Sequence, residues 1–352
     1  MEPRKPVLVA DGIENPWNAR TLLDVAAMFA TSCRFRDRAS LAIAWPEAFP
    51  DDGPLPLVTD AALRGPSPLV ALENVPGAAS VWGFRQPAGE RPALVVGNER
   101  RGIGKDILLA ASHCVSIPLA SRRLNTLNVG AAAAVALYYL RRGGGGLHTA
   151  GNPSARRPEL LFLAGTDHVE LGGALRSAGA FGWARLFVED RSGVWFGCNR
   201  ATRAEGRAAA RAHRNPLQLI PVSKERRYGF DEVCVISASC QGTPLPRARL
   251  ARGGRQLIAL PDESAVSLPD EDWGRLGKEV RFVSLDLPAP SFPYHYRATA
   301  AIALAEVARQ VGQRAGPARG RPRPPAPVYD RALEVLRQEA SEVVFQDDLQ
   351  DY

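Results

Sequence analysis

Glycines and polar side chains in the first part of the chain have the types and spacing of a ligand site. In the segment "VVGNERRGIG", Gly97 and Gly102 stand on either side of Glu99. Glycine permits a tight turn and lets the backbone approach a ligand closely. Thr126 and Asn128 then precede the small-residue run "VGAAAAVALYYL". The pattern favours either a loop that cradles a ligand, or a structural turn followed by a helix cap.

A second polar stretch, "ENPWNARTLLDVAAMFA", lies near the start of the chain. Asn15 and Asn18 precede a helix-like run, and Asp24 follows within that run. Two amides in such a place indicate a polar loop at a helix start. Asp24 adds a negative charge beside them.

These residues need elements that position them, and the apolar pattern predicts an α/β fold. Helix-like patterns at Arg20–Phe29 and Val129–Leu140 alternate with short apolar runs. Strands are expected in "PVLVADG", "SLAIAW", "SPLVALEN", "ALVVGNE" and "CVSIPLA". Such alternation is typical of a parallel sheet covered by helices on both faces.

The pattern then repeats. "LLFLAGTDHVELGGALRSAGAFGWARLFVED" aligns with "PVLVADGIENPWNARTLLDVAAMFATSCRFRDR", pairing Asn15 with Asp167 and Phe29 with Phe181 at one offset. Later, "RQLIALPDESAVSLPDEDW" resembles "PALVVGNERRGIGKDIL", and "RATAAIALAEVAR" resembles "NVGAAAAVALYYL". Three similar segments in one order predict a tandem duplication. Two such copies in one chain predict an intrachain pseudo-dimer that is monomeric in solution.

Four regions follow from this repeat. We expect a first domain at 1–142, a Gly-rich linker at 143–157, a second domain at 158–312 and a Pro/Arg-rich, then acidic, tail at 313–352. The linker assignment rests on its glycines and polar residues.

Composition narrows the class of protein. The 352 residues are 45% hydrophobic and carry a net charge of +7. A basic excess favours polyanionic partners, although a solvated arginine-rich surface explains it equally well. Five scattered cysteines without a CxxC pair indicate reduced thiols, and the histidines show no metal-ligand spacing. No apolar run is long enough for a membrane span, so a cytoplasmic location is expected.

Three motifs in this order resemble the SpoU/TrmH branch of the SPOUT RNA methyltransferases. They are N-x-x-N before a helix, G-N-E-x-x-G, and I-P-L…T-L-N-V-x-x-A-x-A. The first half carries all three motifs, and the second half keeps the architecture with less of the chemistry. The resemblance implies a trefoil-knotted α/β fold, above all in the first half, which carries all three motifs. Such a knot is a rare exception to the rule that protein chains are unknotted. It also implies S-adenosylmethionine as cofactor and methyl transfer to a ribose 2′-hydroxyl in tRNA or rRNA.

The resemblance also assigns residues. It implies that backbone groups of the knot loops hold the cofactor, at positions matched here by Gly97, Gly102, Ile117, Leu119 and Leu127. The polar residues that match the family's site are Glu99, Asn128, Thr126 and Asn18. Thr126 replaces the usual serine and keeps its hydroxyl.

One motif is broken in each half. The family's first motif ends with an arginine six positions after its second asparagine, where this chain has Asp24. A carboxylate there would repel a substrate phosphate and could not stabilise a ribose oxyanion. At the aligned position of the second half stands Arg176.

The second half lacks the cofactor motifs instead. Pro261 and Val266 replace Gly97 and Gly102, which removes the permissive backbone. The alignment places His295 at Thr126 and Arg297 at Asn128.

In dimers of the family, the first motif of one subunit is expected against the cofactor pocket of the other. The sequence therefore predicts one composite site, with the cofactor in the first half and Arg176 from the second. We expect Arg176 to orient the substrate phosphate and to stabilise the ribose oxyanion, although such an arginine has also been assigned as the base. Glu170, in place of an asparagine, either accepts a proton or marks a changed substrate.

Other interpretations stay open. The chain could be an inactive RNA-binding or scaffold protein, or it could methylate a base. The segments Arg226–Arg227–Tyr228 and Arg252–Arg255 are candidate RNA contacts or plain surface charge.

Overall fold

The computed structural model describes residues 6–63, 68–85, 91–120, 127–142, 157–211, 217–250, 254–288 and 295–311. Thr126, Arg252, the predicted linker over 143–156 and the predicted tail at 313–352 lie outside these residues.

The first unit is a six-stranded parallel sheet with helices between its strands. Its strands run in the order β2-β1-β5-β3-β6-β4. They are β1 (Val7–Asp11), β2 (Cys33–Arg36), β3 (Leu69–Leu72), β4 (Ala79–Ser80), β5 (Ala93–Gly97) and β6 (His113–Ser116). The helices are α1 (Pro16–Met28), α2 (Leu41–Ala48), α3 (Asp60–Leu63), α4 (Lys105–Ala110) and α5 (Val129–Leu140).

The second unit is a seven-stranded parallel sheet in the order β11-β13-β10-β12-β7-β8-β9. Its strands are β7 (Glu159–Leu163), β8 (Arg185–Glu189), β9 (Gln218–Pro221), β10 (Phe230–Ser237), β11 (Thr243–Pro244), β12 (Gln256–Pro261) and β13 (Gly277–Ser284). Its helices are α6 (His168–Ala180), α7 (Arg200–Ala210) and α8 (Tyr296–Gln310).

The two sheets have the same strand order. Read as β8-β7-β12-β10-β13-β11, the second sheet follows the first strand by strand, with β9 added outside β8. In the first sheet, the position outside β2 has an isolated parallel bridge between Phe35 and Leu57 instead of a strand. The prediction of an α/β fold with parallel sheets is confirmed.

One strand prediction is wrong. "SLAIAW" forms the start of α2 instead of a strand. Leu41 and Trp45, four residues apart, are the buried residues of that helix, which is helical periodicity. The Asp37 carboxylate accepts hydrogen bonds from the N–H groups of Leu41 and Ala42, both at 2.9 Å, and thereby caps the helix.

Helix α5 joins the two units. It packs against α1 within its own unit and against α8 of the second. The run Ala131–Ala134 has side chains small enough for this close approach, and the Tyr139 hydroxyl donates to Glu306 Oε2 at 2.7 Å across the junction. One contiguous apolar core therefore contains residues of both units. Within the described ranges, no helix is long and apolar enough to cross a membrane.

Candidate active site

The loop after β5 is a closed turn. Asn98 N donates to Gly102 O at 3.0 Å, and Gly102 N donates to Asn98 O at 2.8 Å. The Asn98 side chain accepts from Arg100 N at 2.8 Å. A Cβ on Gly97 would collide with the backbone of Gly102, so the chain at this place requires glycine.

Carboxylates at the ends of β1 and β3, the two strands on either side of β5, fix the far side of this loop. Asp11, the last residue of β1, accepts from Gly104 N at 2.6 Å. Glu73, directly after β3, accepts from Ile103 N at 3.0 Å. The loop is thus tied to the carboxyl edge of the sheet, where parallel α/β sheets bind their ligands.

A cavity of about 290 Å³ lies beside this loop. Its lining combines apolar side chains, polar side chains and the exposed backbone of the turn. All of the predicted cofactor residues line it, together with Glu99: Gly97, Gly102, Ile117, Leu119 and Leu127.

Sequence reasoning missed several lining residues, namely Glu73, Asn74, Asn98 and Ser116. A signal for them was available. Each stands at the carboxyl end of a parallel strand or within two residues after it, and side chains at that edge converge.

Asn128 is the centre of a polar cluster next to the cavity. As the N-cap of α5, it accepts from Gly130 N at 2.9 Å through its side-chain oxygen. Its side-chain nitrogen donates to Glu99 Oε1 and to Asn18 Oδ1, each at 3.2 Å. Three of the predicted polar residues are therefore brought together and held in fixed orientations.

Arg176 of the second unit contacts the residue next to this cluster. It lies on α6, is only 5% exposed, and donates from Nη2 to the carbonyl oxygen of Leu127 at 2.8 Å. Leu127 lines the cavity and directly precedes Asn128. A guanidinium of one unit thus contacts the cavity wall of the other.

Asp24 lies in a different cluster. His295 Nε2 is 2.8 Å from Asp24 Oδ2, and His295 Nδ1 is 3.1 Å from Glu170 Oε1. Arg297 donates from its backbone nitrogen to Glu170 Oε2 at 3.0 Å and also binds this carboxylate through its side chain. Arg20 Nε lies 3.3 Å from Asp24 Oδ2.

The structure corrects the alignment of this region by two residues. His295 is the N-cap residue of α8, as Asn128 is of α5. His295 therefore corresponds to Asn128 rather than to Thr126, and Arg297 corresponds to Gly130. The misalignment arose because no motif residue is shared at the start of these two helices.

The strand register confirms that Pro261 of the second unit occupies the position of Gly97 in the first. Gly97 pairs with Asp11 at the ends of β5 and β1, and Pro261 pairs with Leu163 at the ends of β12 and β7. Proline has no backbone N–H to offer a ligand there.

The charges of the Asp24 cluster shift two pKa values. Burial would lower the pKa of His295, but its hydrogen bonds to Asp24 and Glu170 raise it to about 9. Burial would raise the pKa of Glu170, but hydrogen bonds and charges from His295 and Arg297 hold it at about 2. At neutral pH an imidazolium lies between two carboxylates, and Glu170 is too weak a base to accept a proton readily.

Two of the arginines that the sequence suggested as RNA contacts stack on aromatic rings of the protein itself. The Arg226 guanidinium lies 5.3 Å from the centre of the Tyr228 ring. That of Arg255 lies 4.3 Å from the centre of the Phe230 ring, and it pairs with Glu159 at 3.4 Å.

The segment that lines the cavity is similar to a known protein family. Residues 65–138, about a fifth of the chain, match the model of the SpoU rRNA Methylase family. The matched stretch runs from β3 through the glycine loop to α5. This part of the first unit is therefore similar to SpoU-type methylases. No curated protein matches the chain.

Solved structures of such methylases resemble part of the chain. A putative RNA methyltransferase of the TrmH family from Porphyromonas gingivalis is 23% identical, with 40% of this chain and 60% of that one covered at a TM-score of 0.32. The SpoU methyltransferase AviRb from Streptomyces viridochromogenes, solved with its cofactor AdoMet, is 22% identical, with the same coverage and a TM-score of 0.30. A protein studied for 2-OH methylation of C/U34 on tRNA is 25% identical over 41% of this chain and 99% of its own, with a TM-score of 0.31. The chain spans less than two thirds of the length of the first two of these proteins.

Proposed function

We propose that this protein is an S-adenosylmethionine-dependent RNA methyltransferase with one composite active site between its two units. The observation that carries the proposal is the hydrogen bond from Arg176 of the second unit to Leu127 in the cavity wall of the first. The SpoU-type segment that forms most of this cavity supports the assignment to methyl transfer.

The cavity lining suits this cofactor. Ile117, Leu119 and Leu127 offer apolar surface for a purine ring, while the tight turn at Gly97 exposes backbone groups for hydrogen bonds. Glu73 and Asn74 add polar groups for a ribose or an amino acid moiety. When bound, the cofactor supplies an electrophilic methyl group.

The chain's own residues would orient the substrate. The Asn128 side chain is held by Asn18 and Glu99, so its position beside the cavity costs no reorganisation when RNA binds. Arg176 would bind a substrate phosphate and stabilise the negative charge that develops on the ribose 2′-oxygen, whose proton passes to solvent water as the methyl group is transferred. This role needs a permanently charged group, which a guanidinium is.

The two units are proposed to be a tandem duplication that forms an intrachain pseudo-dimer. Their shared strand order supports this, and so does the contact of Tyr139 on α5 with Glu306 on α8. We place the domains at 1–142 and 158–312 and propose a trefoil knot around the cavity of the first. Because one chain then supplies both halves of the site, we propose a monomeric enzyme.

The second potential site is proposed to be inactive. Asp24 stands where Arg176 stands in the working site, and its carboxylate is bound by His295. An ion cluster therefore occupies the place at which a substrate phosphate would bind.

Methyl transfer tests the proposed function. The full chain is incubated with methyl-tritiated S-adenosylmethionine and bulk tRNA or rRNA, and the RNA is then hydrolysed with alkali. We expect label in alkali-resistant dinucleotides, because a 2′-O-methyl group blocks cleavage of the adjacent phosphodiester. Label in mononucleotides would instead show base methylation, and cofactor binding without any labelled RNA would show a noncatalytic protein.

A further inference from the structure

A groove on the second unit combines aromatic rings with arginines. It lies between the loop after β8 and the outer face of α7, and its volume is about 830 Å³. Its principal lining residues are Trp195, Phe196, Arg203, Arg207, Leu217 and Leu219. None of these belongs to the composite site.

The loop that carries the rings is firmly held. The Asp190 carboxylate accepts from Trp195 N at 3.0 Å and from Phe196 N at 2.7 Å. The Trp195 ring lies directly over Gly206 of α7, where an added Cβ would come within 3.0 Å of the ring. Phe196, beside it, is 41% exposed. The loop thus presents a fixed aromatic surface to solvent.

The charge around the groove is positive. Arg200, Arg203 and Arg207 are all exposed on α7. The carboxylate of Glu205 on the same helix lies 2.8 Å from His168 Nε2, and it is the one acidic group among the three exposed arginines of α7. The groove therefore has a basic rim.

We propose that this groove binds a single-stranded segment of RNA. Nucleobases stack on exposed aromatic rings, and arginines contact the phosphates between them. An acidic peptide would pair with the arginines, but its carboxylate side chains would not stack on the aromatic rings as nucleobases do. The inference rests on the proposed function only in that the bound strand would belong to the RNA that is methylated.

Binding of a defined probe tests the groove. The probe is a fluorescein-labelled single-stranded RNA of about 12 nucleotides, within the range that such surfaces cover. Anisotropy is measured with the full chain and without cofactor. Phe196→Leu keeps an apolar side chain but removes the ring, and we expect about fivefold weaker binding or worse. Arg207→Glu should weaken binding by at least as much and flatten its salt dependence.

Arg34→Glu is the matched control, since it makes the same charge change at an exposed position on β2 of the first unit. It should leave affinity within about twofold of the parent.

If Phe196→Leu binds as the parent does, or if Arg34→Glu weakens binding as much as Arg207→Glu, the groove is not the RNA site. If Arg207→Glu weakens binding of a polyglutamate peptide as strongly as that of RNA while Phe196→Leu affects neither, the surface serves acidic proteins and the inference fails. Because no methyl transfer is measured, failure of the proposed function would not alter these results.

Discussion

At the scale of single residues, corresponding positions in the two units have taken opposite roles. Asn128 and His295 both begin the last helix of their unit. Asn128 is neutral and holds Asn18 and Glu99 beside an open cavity. His295 lies between the carboxylates of Asp24 and Glu170 and helps to join the units. The Asn128 arrangement is suited to binding a ligand in the cavity, and the His295 arrangement is suited to stabilising the contact between the units.

His295 should make stability depend on pH. Its folded-state pKa of about 9 lies above the ordinary value of 6.5, so its contribution is complete below about pH 6.5 and is lost as pH rises through 9. The groups that face it are Asp24 of α1, Glu170 of α6 and Arg297 of α8. We expect the free energy of unfolding to fall by on the order of 2–3 kcal/mol from this residue between pH 6.5 and 10. Denaturant titrations across that range measure it.

His295→Gln provides the comparison, because glutamine has no charge to lose. The difference in unfolding free energy between parent and variant should be largest near pH 6.5 and should nearly vanish by pH 10. A difference that does not change with pH would show that folding does not raise the pKa of His295.

At the scale of elements, the end of β5 and its loop form one wall of the cavity. Gly97 ends the strand, and the paired backbone of Asn98 and Gly102 closes the turn. The glycines made this loop predictable from the sequence. Its anchors were not predictable, because Asp11 and Glu73 are distant in sequence and meet the loop only once the strands are side by side.

A methyl group at Gly97 should disturb the loop. The added Cβ of Gly97→Ala would meet the backbone of Gly102, which cannot move without breaking the turn. We expect S-adenosylmethionine to bind the parent with one site per chain in a calorimetric titration, and to bind this variant at least about tenfold more weakly.

Gly83→Ala is the control, because no atom lies within 4 Å of the Cβ it would add. Its binding curve should overlay that of the parent. Two equal sites in the parent, or unchanged affinity in Gly97→Ala, would contradict the placement of the cofactor.

The start of α2 shows where sequence patterns fail. "SLAIAW" has the composition of a buried strand, and short apolar runs do not distinguish strand from helix by periodicity alone. The deciding group is the Asp37 carboxylate, which lies outside the apolar run and binds the first N–H groups of the helix. Its backbone hydrogen bonds outweigh the effect of burial and lower the pKa of this carboxyl.

At the scale of the whole molecule, two similar units of unequal chemistry lie against each other. The repeat and the exchanged positions of Asp24 and Arg176 were readable from the sequence because they obey one offset. That Arg176 lies at the first unit's cavity was predicted from family resemblance alone, since no local pattern relates α6 to the loop before α5. Its contact with Leu127 was not predicted. The groove at Trp195 had no signal of its own in the sequence.

Paired substitutions of Arg176 and Asp24 separate the composite site from its alternatives. Methyl transfer is measured for Arg176→Ala and Asp24→Ala in parallel, with circular dichroism and cofactor affinity confirming that each variant is folded. Arg176→Ala should lose at least about 100-fold in rate while still binding cofactor, because the charge that stabilises the oxyanion is gone. Asp24→Ala should keep most of the parent's rate. Full activity in Arg176→Ala, or loss of activity confined to Asp24→Ala, would contradict a composite site built on the first unit's cavity.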